Sequence, residues 1–337
     1  MYTFWTASRQ VSRPVVLLAI VSLAHAPAMA QAPSRTPWGD PDLQGTWDFT
    51  TITALERPAA LAGREFLTES EATALEKQIN QQRFQTEEQS PGSLGGVPRT
   101  ESDPGIYNLG WWWEPNGRKL VRTRRTSLVV DPPDGRIPTL TTQAQTIQRQ
   151  RDEARERRHA AKDLPLAERC IMGFNSGPPM VPGPYNNLVQ VFQSPGYVVI
   201  VNEMVHDARI VPLDGRARLG DRLRFWSGDS RGHWEGNTLV VETSNFSDNG
   251  TGTFGLPGLS DRNMQLVERF TRLDDRVLTY QFAVTDPTVW PRSWSAEVPM
   301  TKIDGFVLEY ACHEGNYGLA NILAGARAEE ARGPTDR

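Results

Sequence analysis

The chain has 337 residues, 38% aliphatic or aromatic and 23% charged, a balance that supports a real core and is too apolar for a disordered polymer. Its 36 basic and 40 acidic side chains leave a net charge of −4, which argues against nucleic acid or an anionic membrane as the main partner. With 28 Gly and 25 Pro, the composition suits many short strands and tight turns better than a helical fold.

Arg9 and Arg13 precede an apolar run from Val15 to Leu23, and Ala28-Met29-Ala30 supplies the small residues that a signal peptidase reads. Residues 1–30 are expected to be a signal peptide, and the remaining 307 residues carry 34 basic and 40 acidic groups, a net −6. The apolar run is shorter than the ~18 residues of a membrane helix, and no later stretch approaches that length, so no membrane span is expected. The expected location is the periplasm or the cell exterior, with Gln31 rather than a lipid-bearing Cys at the cleavage site. In an oxidising compartment Cys170 and Cys312, the two cysteines of the chain, are expected to be bonded to each other.

Residues 31–337 are read as a single large β domain. Residues 31–187 form an extended and helical part that wraps the core, 188–318 hold the main strands, and 319–331 form a terminal helix. Ala32 to Pro41 is extended, and Leu43 to Phe49 reads as a first strand. Thr68-Glu69-Ser70-Glu71 is a capping box that opens a helix to about Arg83. Ser90 to Pro104 is a Gly/Pro-rich loop, and Thr142 to about Ala161 is a second, highly charged helix. Ser127 to Arg136 echoes Ile210 to Arg216 through the shared Asp-Gly-Arg ending. From Leu188 onward the hydrophobic period becomes two, predicting strands at 188–193, 197–203, 208–211, 238–243, 265–272, 277–285, 294–301 and 306–312. Asp214-Gly215, Asp274-Asp275 and Asp304-Gly305 supply turn chemistry between them. The expected fold is mainly β, an antiparallel meander closing into a barrel-like core with helical extensions. Leu319, Ile322, Leu323 and Ala326 line one face of the terminal helix.

The segments Pro37-Trp38-Gly39-Asp40-Pro41-Asp42-Leu43-Gln44-Gly45-Thr46-Trp47, Gly173-Phe174-Asn175-Ser176-Gly177-Pro178-Pro179 and Cys312-His313-Glu314-Gly315-Asn316-Tyr317 resemble those of a large family of secreted bacterial proteins. That resemblance brings no activity with it. Gly45-Thr46-Trp47 also resembles the Gly-x-Trp that opens lipocalin and related calycin barrels, where the Trp plugs the closed end. This second resemblance implies a barrel-like topology, although the long stretch between Trp47 and Leu188 departs from a compact lipocalin.

Candidate chemistry centres on three histidines. His206, His233 and His313 lie at strand ends or in turns, beside Glu203 and Asp207, Asp229 and Glu235, and Glu314 respectively. Imidazole next to carboxylate suits proton transfer or a cation. A metal held by the three His is chemically reasonable, but no His-Glu-x-x-His or Cys-x-x-Cys supports it, so neither a metal nor a cofactor is assigned. His313 and Glu314, with His206 and Asp207, are the favoured acid–base pairs. Arg209, Asn316, Tyr317, Trp234 and His233 are the candidate substrate-binding residues, and Arg209 is suited to clamp an anionic group. Ser230 and His233 are close in sequence without a Gly-x-Ser-x-Gly, and Gly250-Thr251-Gly252-Thr253 lacks the Lys of a phosphate loop. Nine tryptophans lie beyond residue 30, including Trp111-Trp112-Trp113, and indole faces suit sugars and flat apolar ligands. Two functions follow as expectations: an enzyme acting on a small organic molecule or sugar by acid–base chemistry at a barrel mouth, or a lipocalin-like binder of an apolar or aromatic ligand. The partner in either case is a small molecule.

Overall fold

Strict alternation along the later strands sorts side chains to two faces. In the stretch Gln265–Arg272, Leu266, Glu268, Phe270 and Arg272 are buried while their neighbours are not. The structure, a computed structural model, describes residues 34–89, 118–247 and 262–333, without the side chains of 83–89. The expected signal peptide, the Ser90–Pro104 loop, Trp111–Trp113 and the Gly250–Thr253 turn lie outside the described residues.

The strands are β1 (Gly45–Asp48), β2 (Val129–Asp131), β3 (Leu188–Ser194), β4 (Tyr197–Asn202), β5 (Ala208–Pro212), β6 (Asp229–Glu235), β7 (Thr238–Ser244), β8 (Gln265–Arg272), β9 (Val277–Thr285) and β10 (Trp294–Ile303). They form one antiparallel sheet in the order β5-β4-β3-β1-β10-β9-β8-β7-β6, and β2 pairs with β10. Two meanders, β3 to β5 and β6 to β10, are stitched together by β1. Thr46 pairs with Gln190 of β3 on one side and with Ile303 of β10 on the other.

The ladder path therefore ends at β5 and β6, and the sheet is not closed by hydrogen bonds. Side chains meet at that seam instead. A Cβ placed on Gly232 would lie 2.6 Å from Leu213 Cδ2 and 2.8 Å from Val211 Cγ1, so β6 needs a glycine where β5 approaches it. The inner face carries a core of Trp47, Val198, Ile200, Val241, Phe270, Phe282, Trp294 and their neighbours. Trp47 is fully buried, its Nε1 donates to the Leu43 carbonyl at 2.9 Å, and the Arg272 guanidinium lies 6.0 Å from its ring centre.

Helix α1 (Glu69–Gln89) begins at the expected capping box. The Thr68 amide donates to Glu71 Oε2 at 2.9 Å and the Glu71 amide donates to Thr68 Oγ1 at 3.3 Å. Arg64, then Thr68, draw the Glu71 pKa down to about 2. A carboxylate depressed in the folded state stabilises above its unfolded value near 4.5 and loses that effect as pH falls through about 2. A carboxyl NMR titration should place Glu71 near 2 in the wild type and closer to an ordinary glutamate in Arg64→Ala; a midpoint of about 4 in the wild type contradicts the Arg64 pair and the capping geometry together.

Three local expectations are corrected. Helix α2 (Thr142–Arg157) stops four residues before Ala161 because Arg158 turns left-handed at φ +53 and closes the helix onto Ala154. Residues 306–312 form no strand: both edges of β10 are already occupied, by β9 on one side and by β1 and β2 on the other. Strand β6 was not expected, because its inward residues Ser230, Gly232 and Trp234 lack an aliphatic alternation. Helix α3 (Tyr317–Arg332) follows, preceded by the expected disulfide between Cys170 and Cys312, whose Cα atoms are 5.6 Å apart. Among the described residues no helix is long and apolar enough to cross a membrane.

Candidate functional site

The turn from β4 to β5 holds two consecutive non-glycine residues with positive φ. Strand β4 buries Val198, Ile200 and Asn202 on its inner face, so the alternation that makes the core delivers an amide at its last inward position. Asn202 faces Asp207, whose carbonyl accepts the Asn202 backbone N–H at 2.9 Å. Between them a single helical turn runs over Met204–His206, and both Val205 (φ +63) and His206 (φ +54) are left-handed. For a β-branched residue this conformation is a genuine outlier, and strain of this kind collects at active sites, ligand clamps and switches. A buried loop holds the turn: a Cβ on Gly173 would lie 2.1 Å from Met204 Cγ, so glycine is needed where the Gly173–Gly177 segment packs on it.

Charged groups surround this turn. Asp207 Oδ2 accepts the Ser227 hydroxyl at 3.0 Å. Arg209, the first buried residue of β5, reaches across the inner face to Glu268 of β8 in a two-pronged pair, Nη1 to Oε2 and Nη2 to Oε1 at 2.9 Å. Tyr280 of β9 donates to Glu268 Oε1 at 2.9 Å and accepts the Met180 amide at 3.1 Å. Burial first, then the Glu268 charge, holds the Tyr280 phenol well above its ordinary value. Glu203 accepts the Leu188 amide at 3.3 Å, and partial burial raises its pKa above the ordinary carboxylate value. The Asn202 Oδ1 is buried with no hydrogen-bond partner among the described residues, an atom suited to receive a donor from a bound molecule.

The sequence candidates fall in three places. His206 is exposed on the strained turn beside Asp207 and Arg209. His233 sits within β6 rather than in a turn, exposed, with Nε2 3.2 Å from Glu235 Oε1. Trp234 is partly buried against the core, its indole N–H without a partner among the described residues. His313 and Glu314 are exposed in the turn before α3, where Gly315 takes φ +73. The Asn316 amide has structural partners: Oδ1 caps α3 by accepting Leu319 N at 3.2 Å, while Nδ2 donates to the Glu168 carbonyl at 3.1 Å and lies 3.3 Å from Cys170 Sγ. Tyr317 begins α3 with its ring exposed. Among the described residues no three His, Cys, Asp or Glu side chains gather in a way that could hold a metal ion, so His206, His233 and His313 are not brought together.

Sequence reasoning named His206, Asp207 and Arg209 and missed Asn202, Ser227, Glu268 and Tyr280. Parity held a usable signal: Glu268 lies between Leu266 and Phe270 at core positions of its strand, and a charge at such a position requires a buried partner. No known protein family matches the chain, and neither a curated protein nor a solved structure does.

Proposed function

We propose that the protein is a secreted enzyme acting on a small organic molecule or sugar by acid–base chemistry at the end of the sheet built by Asn202–Arg209. The observation that carries this reading is the pair of consecutive left-handed, non-glycine residues Val205 and His206, a costly backbone held between a buried charge pair and the buried Asn202 side-chain carbonyl, which has no hydrogen-bond partner among the described residues. Asp207, oriented by Ser227, is the base. His206 exchanges the proton with solvent, and Glu203, which keeps its proton to higher pH than an ordinary carboxyl, is suited to give one back. Asn202 Oδ1 receives a donor group of the substrate. The same proposal includes a barrel-like enclosure in which the packed seam of Gly232 against Val211 and Leu213 takes the place of a final ladder. It also includes a periplasmic or extracellular location, which the disulfide supports.

Screening chromogenic esters and glycosides with the wild-type protein should reveal turnover that Asp207→Asn and His206→Ala each reduce by about 10²-fold or more without changing the circular dichroism melt. Full activity in both variants, with loss in His313→Ala, would move the chemistry to the exposed turn of His313 and Glu314. Absence of turnover across the panel would favour the alternative, a lipocalin-like binder of an apolar or aromatic ligand. The buried indole N–H groups of Trp290 and Trp294, without hydrogen-bond partners among the described residues, support that second reading, and quenching of tryptophan emission by such a ligand is its test.

A further inference from the structure

The outer face of β8, β9 and β10 carries a polar row that the sheet-end site does not use. Arg269 stands opposite Gln281, and Gln281 opposite Glu297, in consecutive ladders. Gln281 Nε2 donates to Glu297 Oε2 at 2.8 Å, and Arg269 Nη2 donates to Glu235 Oε2 at 2.6 Å. Arg269, then His233, hold the Glu235 carboxyl below its ordinary range. The side chains of this row are thus oriented by one another before any ligand arrives.

Two grooves flank the row and share Gln281. One, of about 450 Å³, is lined by Thr271, Asp274, Thr279 and Glu297 together with the apolar Leu273 and Pro299. The other, of about 230 Å³, adjoins Arg269, Ala283 and Ser295. The larger has the volume of a small-molecule site, and Gln281, on the wall of both, places the two side by side as a track across the strands.

We propose that this track binds a neutral oligosaccharide, with one sugar ring in each groove and Gln281 between them. The lining argues for that class. Asp274 and Glu297 disfavour an anionic ligand, Arg122 and Arg269 disfavour a cationic one, and the signs balance for a neutral molecule. Hydroxyls of Thr271 and Thr279, the amide of Gln281 and the carboxylate of Glu297 offer both donors and acceptors. They repeat at the strand spacing of ~4.8 Å, which suits the hydroxyls distributed around a pyranose ring. Leu273, exposed at 61%, and Pro299 give the C–H face of a ring an apolar surface.

The test is titration calorimetry of the full-length protein with maltotriose, cellotriose, xylotriose and N,N′,N″-triacetylchitotriose, each compared with its monosaccharide. At least one trisaccharide should bind, more tightly than its monosaccharide. Gln281→Ala and Glu297→Ala should each weaken it about tenfold or more, the loss of one well-made polar contact or two. Gln190→Ala, on the distant strand β3, should leave the affinity unchanged, and circular dichroism checks that each variant is folded. Failure of all four trisaccharides to bind at millimolar concentration, or binding that survives both groove variants, would overturn the proposal.

Discussion

Arg209→Met is expected to lower the stability of the fold by about 3–5 kcal/mol, the cost of stranding a buried charge by removing its partner. Glu268 is 0% exposed and receives two of its hydrogen bonds from Arg209. After the substitution only the Tyr280 hydroxyl remains to it among its present donors. The two ions come from β5 and β8, 59 residues apart in sequence, so the loss falls on the contact that spans the inner face next to the open β5–β6 seam. Replacing both partners by apolar groups removes the stranded charge, and Arg209→Met with Glu268→Leu should recover most of the loss. Recovery in the double variant distinguishes this mechanism from simple loss of packing. Guanidinium unfolding of wild type, single and double variants measures both effects. A single-variant loss below about 1 kcal/mol would mean that the pair behaves as a surface ion pair and that the interior is hydrated there.

The second large effect is expected from Cys170→Ser with Cys312→Ser. The bond closes a sequence separation of 142 residues, for which chain entropy predicts about 5 kcal/mol and measured native bridges typically give ~2–5. The change has a local signature as well. The segment after Gly305 leaves the sheet, and Phe306, Leu308 and Tyr317 are exposed while Val307 and Ala326 are buried. Beyond the disulfide, its links include the part-buried hydrogen bond from Asn316 to the Glu168 carbonyl and, at the surface, Arg158 to Glu329 at 3.3 Å and Arg327 to the His159 carbonyl at 2.8 Å. Exposed pairs of that kind hold little. Limited proteolysis of the variant should therefore cut first between Phe306 and Asn316, at protease levels that leave the oxidised protein intact, and mass spectrometry should show the sheet region surviving as one fragment. Simultaneous loss of the arm and the sheet would mean that the C-terminal segment is part of the cooperative core.

The same bond restrains Asn316, whose Nδ2 lies 3.3 Å from Cys170 Sγ. That clasp explains the dense polar chemistry after Cys312 in structural terms: the amide caps a helix and ties it to the Glu168 carbonyl. His313 and Glu314 remain exposed on the tip of the turn it makes. The turn of His206 differs: it closes β4 onto β5 through the Asn202 backbone N–H and the Asp207 carbonyl at 2.9 Å, and two consecutive non-glycine residues in it are left-handed.

What the chain announces locally, the fold carries out locally. Strands β8 and β9 occupy the residues that period-two patterning indicates, because alternation is a property of neighbours i and i+2. Thr68 and Glu71 show the start of α1 within four residues, and a chain with two cysteines leaves one pairing. The tertiary arrangement settles what depends on partners far away in sequence. Leu43 to Phe49 reads as a first strand, yet nothing in it says that its Gly45–Asp48 will join β3 to β10 and make one sheet of two meanders. Ser230, Gly232 and Trp234 carry no aliphatic pattern, and they form the inner side of β6 because β5 packs close enough to require a glycine. Arg209 is suited in sequence to bind an anion from solution. In the fold its anion is Glu268, supplied by another strand and buried with it, because a charge placed at a core position is tolerated only when folding brings it a partner.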